Sequence, residues 1–322
     1  MPTVSVIVPN YNHAPFLRKR LDSILGQTFQ DFEVILLDDC STDESREILR
    51  SYVNDSRVRL AFNEKNSGST FKQWNKGARM ARGKYIWFAE SDDYADERLL
   101  ERLVARLDKE PESVLCYCRS WQVSGDGELK GFQDSYLPDL GTQKWAADFR
   151  SKGIEECRKC LVHCNTVLSA SSVVFRKDVY WRVGGADETL VLCGDWKMWA
   201  AMALTGGEIS YLGEALNYYR FHAASVSERS LRDGIWAKEA LEVVRFIVGR
   251  VGIRKDERAK LFGELFDLWG PAVLTRKVPL SRRGAILLNA LTMDHKALFR
   301  LLPQAVKVLR MTIARRLRSL RG

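Results

Sequence analysis

No apolar run in this 322-residue chain reaches the roughly 18 residues that a bilayer-spanning helix needs. The opening residues also lack the basic-then-apolar order of a secretion signal; residues 1 to 8 read as a strand, and the expectation is a cytoplasmic chain. Two phosphate-binding signatures are missing as well. No G-x-G-x-x-G follows the first strand and no G-x-x-x-x-G-K-[ST] occurs anywhere, which removes the dinucleotide-dehydrogenase and P-loop readings. Zinc-finger, RNP and helix-turn-helix signatures are absent too, so nucleic acid is not an expected partner. The seven cysteines are odd in number, and Cys40, Cys116, Cys118 and Cys193 lie in apolar or strand-like surroundings, which fits buried thiols rather than a disulfide framework. In "CRKCLVHC", Cys157, Cys160, His163 and Cys164 are four zinc-ligand types. On a helix, however, the three thiols share a face with Leu161, as a buried stripe would.

What is present is a composition of 46% hydrophobic and 28% charged residues, ordinary for a globular protein. The formal charge of +9 favours an anionic partner: nucleic acid, a membrane surface or a phosphorylated ligand.

The first ~120 residues alternate strand and helix signals with short connections, the pattern of a parallel sheet covered by helices. "TVSVIVPNY", "FEVILLDD", "RVRLAFN" and "YIWFAE" read as strands. "APFLRKRLDSILGQ", "TDESREILRSYV", "STFKQWNKGARMARG" and "ADERLLERLVARLDKE" read as the helices between and after them, the second opened by Ser41 or Thr42 as its cap. Open α/β sheets bind ligands at the carboxyl ends of their strands. Those ends carry Pro9, Asn10 and Tyr11, then Asp38 and Asp39, then residues 63 to 68, then Glu90, Asp92 and Asp93. A single Asp, Asn or Ser at such a turn is usually a cap, the reading taken for Ser41, Asp43 and Asp96. Two acidic sets along one edge exceed what capping requires. They suit a nucleotide site, one set for base and ribose and the other for a divalent cation on a diphosphate.

The segments "VSVIVPNYNHAPFLRKRLDSILGQTFQDFEVILLDDCSTDES" and "NSGSTFKQWNKGARMARGKYIWFAESDD" resemble the family 2 glycosyltransferases over roughly residues 3 to 110. The resemblance implies a GT-A (nucleotide-diphospho-sugar transferase) α/β fold with a mixed, mostly parallel central sheet. It implies that Pro9 and Tyr11 frame a uracil or thymine ring, that Asp39, beside Asp38, accepts from the base N3–H, and that Asn66 lies near base and ribose. Glu90 stands where many members have Asp and is expected at the ribose. Asp92 matches the metal-binding carboxylate, with Asp93 sharing that work or capping the next helix. The implied cofactor is Mg²⁺ or Mn²⁺. Lys72, on the helix after "NSGS", is a phosphate-side cation or part of a solvated helix face.

The second half regains the family look from residue 165. Where such transferases commonly carry an E-D pair opening a helix, this chain has Gly194-Asp195. The resemblance makes Asp195 the base that deprotonates the acceptor hydroxyl during inversion; a plain helix cap is the other reading. Trp196 is a candidate for stacking on an acceptor sugar, with the helix core as the alternative. Arg220 and His222 in "YYRFH" match a late family position that touches the diphosphate or completes the metal shell.

From residue 228 the chain turns into amphipathic helical segments, the last carrying Lys307, Arg310, Arg315, Arg316, Arg318 and Arg321 with no acidic residue. These suit an anionic membrane surface, or else pack on the core with a solvated tail. The expected organisation is therefore a catalytic domain over 1–227, split into a nucleotide-sugar half (1–124) and an acceptor half (125–227), then a basic helical extension over 228–322. The expected activity is metal-dependent, inverting sugar transfer from a UDP- or dTDP-sugar to a polysaccharide or lipid-linked saccharide, at the inner face of the membrane. Two rivals stay open: a sugar-phosphate nucleotidyltransferase, which lacks its Gly-rich, Arg-containing loop here, and a non-catalytic basic protein binding membrane or nucleic acid.

Overall fold

The computed structural model describes residues 1–136, 143–222, 234–254 and 278–293, with single positions 257, 258, 261, 262, 264, 265, 270 and 274. The chain divides into two compact units, Met1–His222 and Ala223–Gly322. The expected boundary at 227/228 lies outside the described residues.

The first unit begins with β1 (Val4–Asn10), α1 (Ala14–Leu25), β2 (Phe32–Asp38), α2 (Ser45–Arg50), β3 (Val58–Phe62), α3 (Thr70–Met80) and β4 (Tyr85–Phe88). Every residue of β1, β2 and β4 is buried, as in a sheet covered on both faces. Burying each large aliphatic side chain stabilises by about 1.5–3 kcal/mol. Strands β3, β2, β1 and β4 are parallel neighbours. One departure from the sequence reading concerns α2: neither Ser41 nor Thr42 caps it. Instead the Ser41 hydroxyl accepts from Asn10 Nδ2 and the Asn12 N–H and braces the β1–α1 turn. Asn12 has φ 56°, a left-handed conformation that Asn tolerates.

After β4 come β5 (Tyr94–Ala95), α4 (Leu99–Lys109), β6 (Ser113–Ser124), β7 (Leu129–Phe132), β8 (Phe149–Lys152), α5 (Gly153–Glu156), β9 (Val173–Arg176), α6 (Lys177–Arg182), α7 (Gly194–Ala203) and β10 (Glu208–Phe221). Helix α4 starts four residues later than the sequence suggests, because Tyr94 and Ala95 pair with Tyr218 and Asn217 of β10. The sheet order is β3-β2-β1-β4-β9-β6-β10-β5, with β7 on β6 and β8 on β10. Strand β9 is antiparallel to β4 and β6, so the sheet is mixed but mostly parallel along its main path. The long β10 runs parallel to β6 and carries its last residues toward the chain that follows β4.

Cys157 and Cys160 lie in a single π-helical turn after α5, both buried, and burial pushes each thiol up to about 12. Such inert thiols are packing groups.

In the second unit, the helix Ile235–Val251 is bounded by Gly234 and Gly252, both at positive φ, and buries Ala240, Val244 and Ile247. It packs with the helix Leu280–Met293. The basic stretch from Lys307 to Arg321 lies outside the described residues. Among the described residues, no helix is long and apolar enough to cross a membrane.

Candidate active site

The carboxyl ends of β1, β2 and β4 meet at one edge of the sheet, in the register Asn10 with Asp38 and Ile7 with Phe88. Asp38 is fully buried and committed to the protein. It accepts from Asn10 Nδ2 (3.1 Å), the Ser41 N–H (3.0 Å) and Arg46 Nε (2.7 Å), so it locks the turn rather than facing a ligand. Asp39, next along, is 4% exposed. Its Oδ1 accepts from Asn63 Nδ2, the Ser67 N–H and Gln73 Nε2 (2.6, 2.9 and 2.9 Å), whereas Oδ2 accepts only from the Ser67 hydroxyl (2.7 Å). Asp39 thereby fixes the loop leading to α3. Beside it, Pro9 is buried and Tyr11 is 46% exposed, a large ring presented at the strand end. Asn66 turns its side-chain oxygen to the Gly68 N–H, and the exposed Lys72 reaches the Ser67 carbonyl at 3.3 Å.

After β4 the acidic triplet splits into three environments. Glu90 accepts from the Trp74 indole at 2.7 Å, and Trp74 stacks on Phe88 with ring centroids 4.3 Å apart. Desolvation, reinforced by the Asp92 charge, pushes the Glu90 carboxyl up to about 8. Asp93 faces inward, 3% exposed, accepting from the Arg220 N–H at 2.8 Å and the Ser169 hydroxyl at 3.3 Å. Burial and the Asp92 charge raise it to about 7. Asp92 behaves oppositely. Burial works against its ionisation, but the hydrogen bond with His222 and the nearby His13 and His222 rings outweigh that and hold it below its usual value.

The pairing β5–β10 explains this meeting, since it delivers His222 to Asp92 across 130 positions, with Nε2 3.0 Å from Oδ2. A third residue joins them. His13, at the mouth of α1, holds Ser91 Oγ at 2.8 Å through Nδ1. Among the described residues, His13, Asp92 and His222 form the only group of three metal-ligand side chains whose ligand atoms lie within 4.8 Å of one another. The sequence pattern groups Asp92, Asp93 and His222 and carries no sign of His13. Asp93 belongs instead to the support of β10, because its oxygens are spent on Arg220 and Ser169.

Arg220 is also a support rather than a ligand-facing cation. It is 5% exposed and donates to the carbonyls of Asp92 (2.8 Å), Ser124 (3.1 Å) and Gly125 (2.8 Å), tying the triplet to the β6–β7 turn. Beneath the cluster sits Arg20, fully buried, with none of its three guanidinium nitrogens hydrogen-bonded to a protein group. Burial brings it down to about 10, against the opposing pull of Asp93, Glu90 and Asp92. It is a built-in countercharge for the triplet. The sequence carried a signal for it: Arg20 falls on the helical stripe of Leu17, Leu21 and Ile24.

Asp195 lies in the first turn of α7. Its Oδ2 accepts from Asn165 Nδ2 at 2.9 Å and its Oδ1 from the Trp196 N–H at 2.6 Å. The preceding residue must be small, because a Cβ on Gly194 would lie 2.5 Å from the Phe71 ring of α3. The starts of α3 and α7 therefore touch, and Asn165 holds the Asp195 side chain where no acidic neighbour stands at 194. Trp196 corrects the sugar-stacking expectation: it is 2% exposed and donates to the Leu161 carbonyl, so it is core.

A mixed sheet of this order, with acidic residues after its fourth strand, defines the GT-A class of α/β folds, to which nucleotide-sugar transferases belong. Solved structures agree on the fold: TarS residues 1–349 of S. aureus in complex with UDP-GlcNAc superposes with a TM-score of 0.67 at 22% identity, covering 92% of this chain and 81% of that one. The mannosyltransferase PcManGT of Pyrobaculum calidifontis, in complex with GDP-Man and Mn²⁺, gives 0.60 at 16% identity, covering 96% and 81%. The profile described as Glycosyl transferase family 2 matches residues 5–183, and the chain belongs to that family. Among curated relatives, the uncharacterized glycosyltransferase EpsJ of Bacillus subtilis is 36% identical over 127 residues, 39% of this chain and 36% of EpsJ. The chain thus spans little more than a third of that relative.

Proposed function

We propose that this protein is an inverting, divalent-metal-dependent glycosyltransferase that moves a sugar from a UDP- or dTDP-linked donor to a polysaccharide or lipid-linked saccharide acceptor. The observation that carries the reading is the convergence of Asp92 and His222 at the strand ends, from positions 130 apart, in a family 2 chain. An imidazole beside an ionised carboxylate fits a divalent cation. The structures of TarS with UDP-GlcNAc and of PcManGT with GDP-Man and Mn²⁺ support a nucleotide-sugar donor and a metal. When bound, the cation neutralises charge on the departing diphosphate.

The chain's own residues do the rest. Tyr11 and Pro9 flank the base, and Asp39 accepts from it through Oδ2, the oxygen with a single protein donor. Glu90 and Asn66 meet the ribose. Asp195, held by Asn165, takes the proton of the acceptor hydroxyl as that oxygen bonds to the anomeric carbon and the carbon–diphosphate bond breaks on the opposite face. Lys72 lies on the phosphate side. The basic residues from Lys307 to Arg321 bring the enzyme to an anionic membrane surface where lipid-linked acceptors lie.

The test is turnover of UDP- and dTDP-sugars with Mn²⁺ and saccharide acceptors, reading product and anomeric configuration by NMR. An inverted glycoside is expected. Formation of a nucleotide-sugar from a sugar phosphate and a nucleoside triphosphate, or a retained configuration, would overturn the reading.

A further inference from the structure

The acidic triplet points toward an all-oxygen site, yet only one of its carboxylates takes part in the ligand convergence. Asp93 is turned inward onto Arg220 and Ser169, and Glu90 is engaged by Trp74. The groups that do converge with Asp92 are two imidazoles, His13 and His222. Their rings are set by more than chance proximity. The ring centroids lie 5.8 Å apart at an interplanar angle of 84°, and Phe16 packs on both, at 6.0 Å from His13 and 5.1 Å from His222. Ser91 holds His13 through Nδ1 at 2.8 Å, the kind of outer contact that fixes a ligand ring and its tautomer. Ser91 is itself buried, and it adjoins Asp92 in the chain, so one turn positions the carboxylate and one of the imidazoles.

We infer that His13 is a third protein ligand of the metal, so that the site is a two-imidazole, one-carboxylate set that selects Mn²⁺ and later first-row divalent ions over Mg²⁺. The inference rests on the metal-dependent reading above and adds the donor set and the ion it favours. Imidazole nitrogen binds first-row transition ions well, whereas Mg²⁺ prefers oxygen and keeps its waters. With two nitrogens among three protein donors, Mg²⁺ is the poorer fit. The position of His13 also links metal to nucleotide, because it follows the Pro9–Tyr11 segment within the same turn.

The experiment uses the full chain with Mn²⁺ alone and with Mn²⁺ plus UDP. Electron spin-echo spectroscopy of the bound Mn²⁺ counts coupled imidazole nitrogens, and calorimetry gives Mn²⁺ and Mg²⁺ affinities. Wild type should show two nitrogens. His13→Gln and His222→Gln should each show one, and His13→Gln should weaken Mn²⁺ by about 10- to 100-fold, the scale of losing a contact that supports a metal site, while changing Mg²⁺ little. One nitrogen in wild type, with His13→Gln unchanged, would overturn the inference and leave metal dependence standing. No Mn²⁺ binding with or without UDP would overturn both. Circular dichroism shows whether His13→Gln is folded; if it is not, the wild-type count decides alone, and fewer than two nitrogens rejects the proposal.

Discussion

The Phe71 ring occupies the space that a side chain at position 194 would need, 2.5 Å from where a Cβ would stand. Gly194→Ala should therefore destabilise the protein by about 1–3 kcal/mol despite the better helix propensity of alanine. Urea unfolding measures it. In the Gly194→Ala/Phe71→Ala double variant the losses should fall short of their sum by about 1 kcal/mol or more, and simple additivity would mean the two do not compete for space.

Asn165 holds the carboxylate of Asp195 at 2.9 Å, so its removal should disturb chemistry more than binding. Asp195→Asn should cut kcat by roughly 10²–10⁴-fold, the usual worth of a general base. Asn165→Ala should lower kcat by about tenfold with the donor KM unchanged. Equal losses in kcat and in donor affinity would assign Asn165 to structure alone.

Arg20 is the fully buried charge facing the triplet from below. It acts on the carboxylates through space rather than through a direct ion pair. Arg20→Met should lower Tm without metal, and added Mn²⁺ should raise its Tm more than that of wild type. An unchanged Tm would show that the triplet needs no internal countercharge.

Asp187 gives the clearest pH signature outside the His13–Asp92–His222 cluster. Burial works to raise its carboxyl, but Lys197 at 2.5 Å and Thr189 outweigh burial and bring it down to about 2. The folded value lies below the unfolded one near 3.9, so the stabilisation is present above about pH 4 and fades as pH falls toward 2. Asp187→Asn should lower Tm at pH 7, and the gap should close between about pH 4 and pH 2. A constant gap over that range would contradict the linkage.

The four strand–helix repeats up to residue 110 were legible because each strand is a short apolar run and each helix has one apolar stripe. What the sequence hid depends on distant pairing. Tyr94 and Ala95 form a strand only because β10, some 120 residues later, lies beside them, and the late start of α4 follows from that. The same pairing turns Asp93 inward and brings His222 to Asp92. The family pattern points to the late histidine, whereas His13 reads as an ordinary loop residue until the fold closes around it. Trp196 and Trp199 sit at helical spacing, and only packing shows that both are core. Asn165 carried no signal at all, since its partner is 30 positions away.

Thermal stabilisation by UDP, measured with and without Mn²⁺ in wild type, Asp92→Asn and Asp195→Asn, tests the central claim most directly. Wild type and Asp195→Asn should both gain an added, Mn²⁺-dependent rise in Tm, and Asp92→Asn should lose that rise while keeping its fold. A full Mn²⁺-dependent rise in Asp92→Asn would contradict the account.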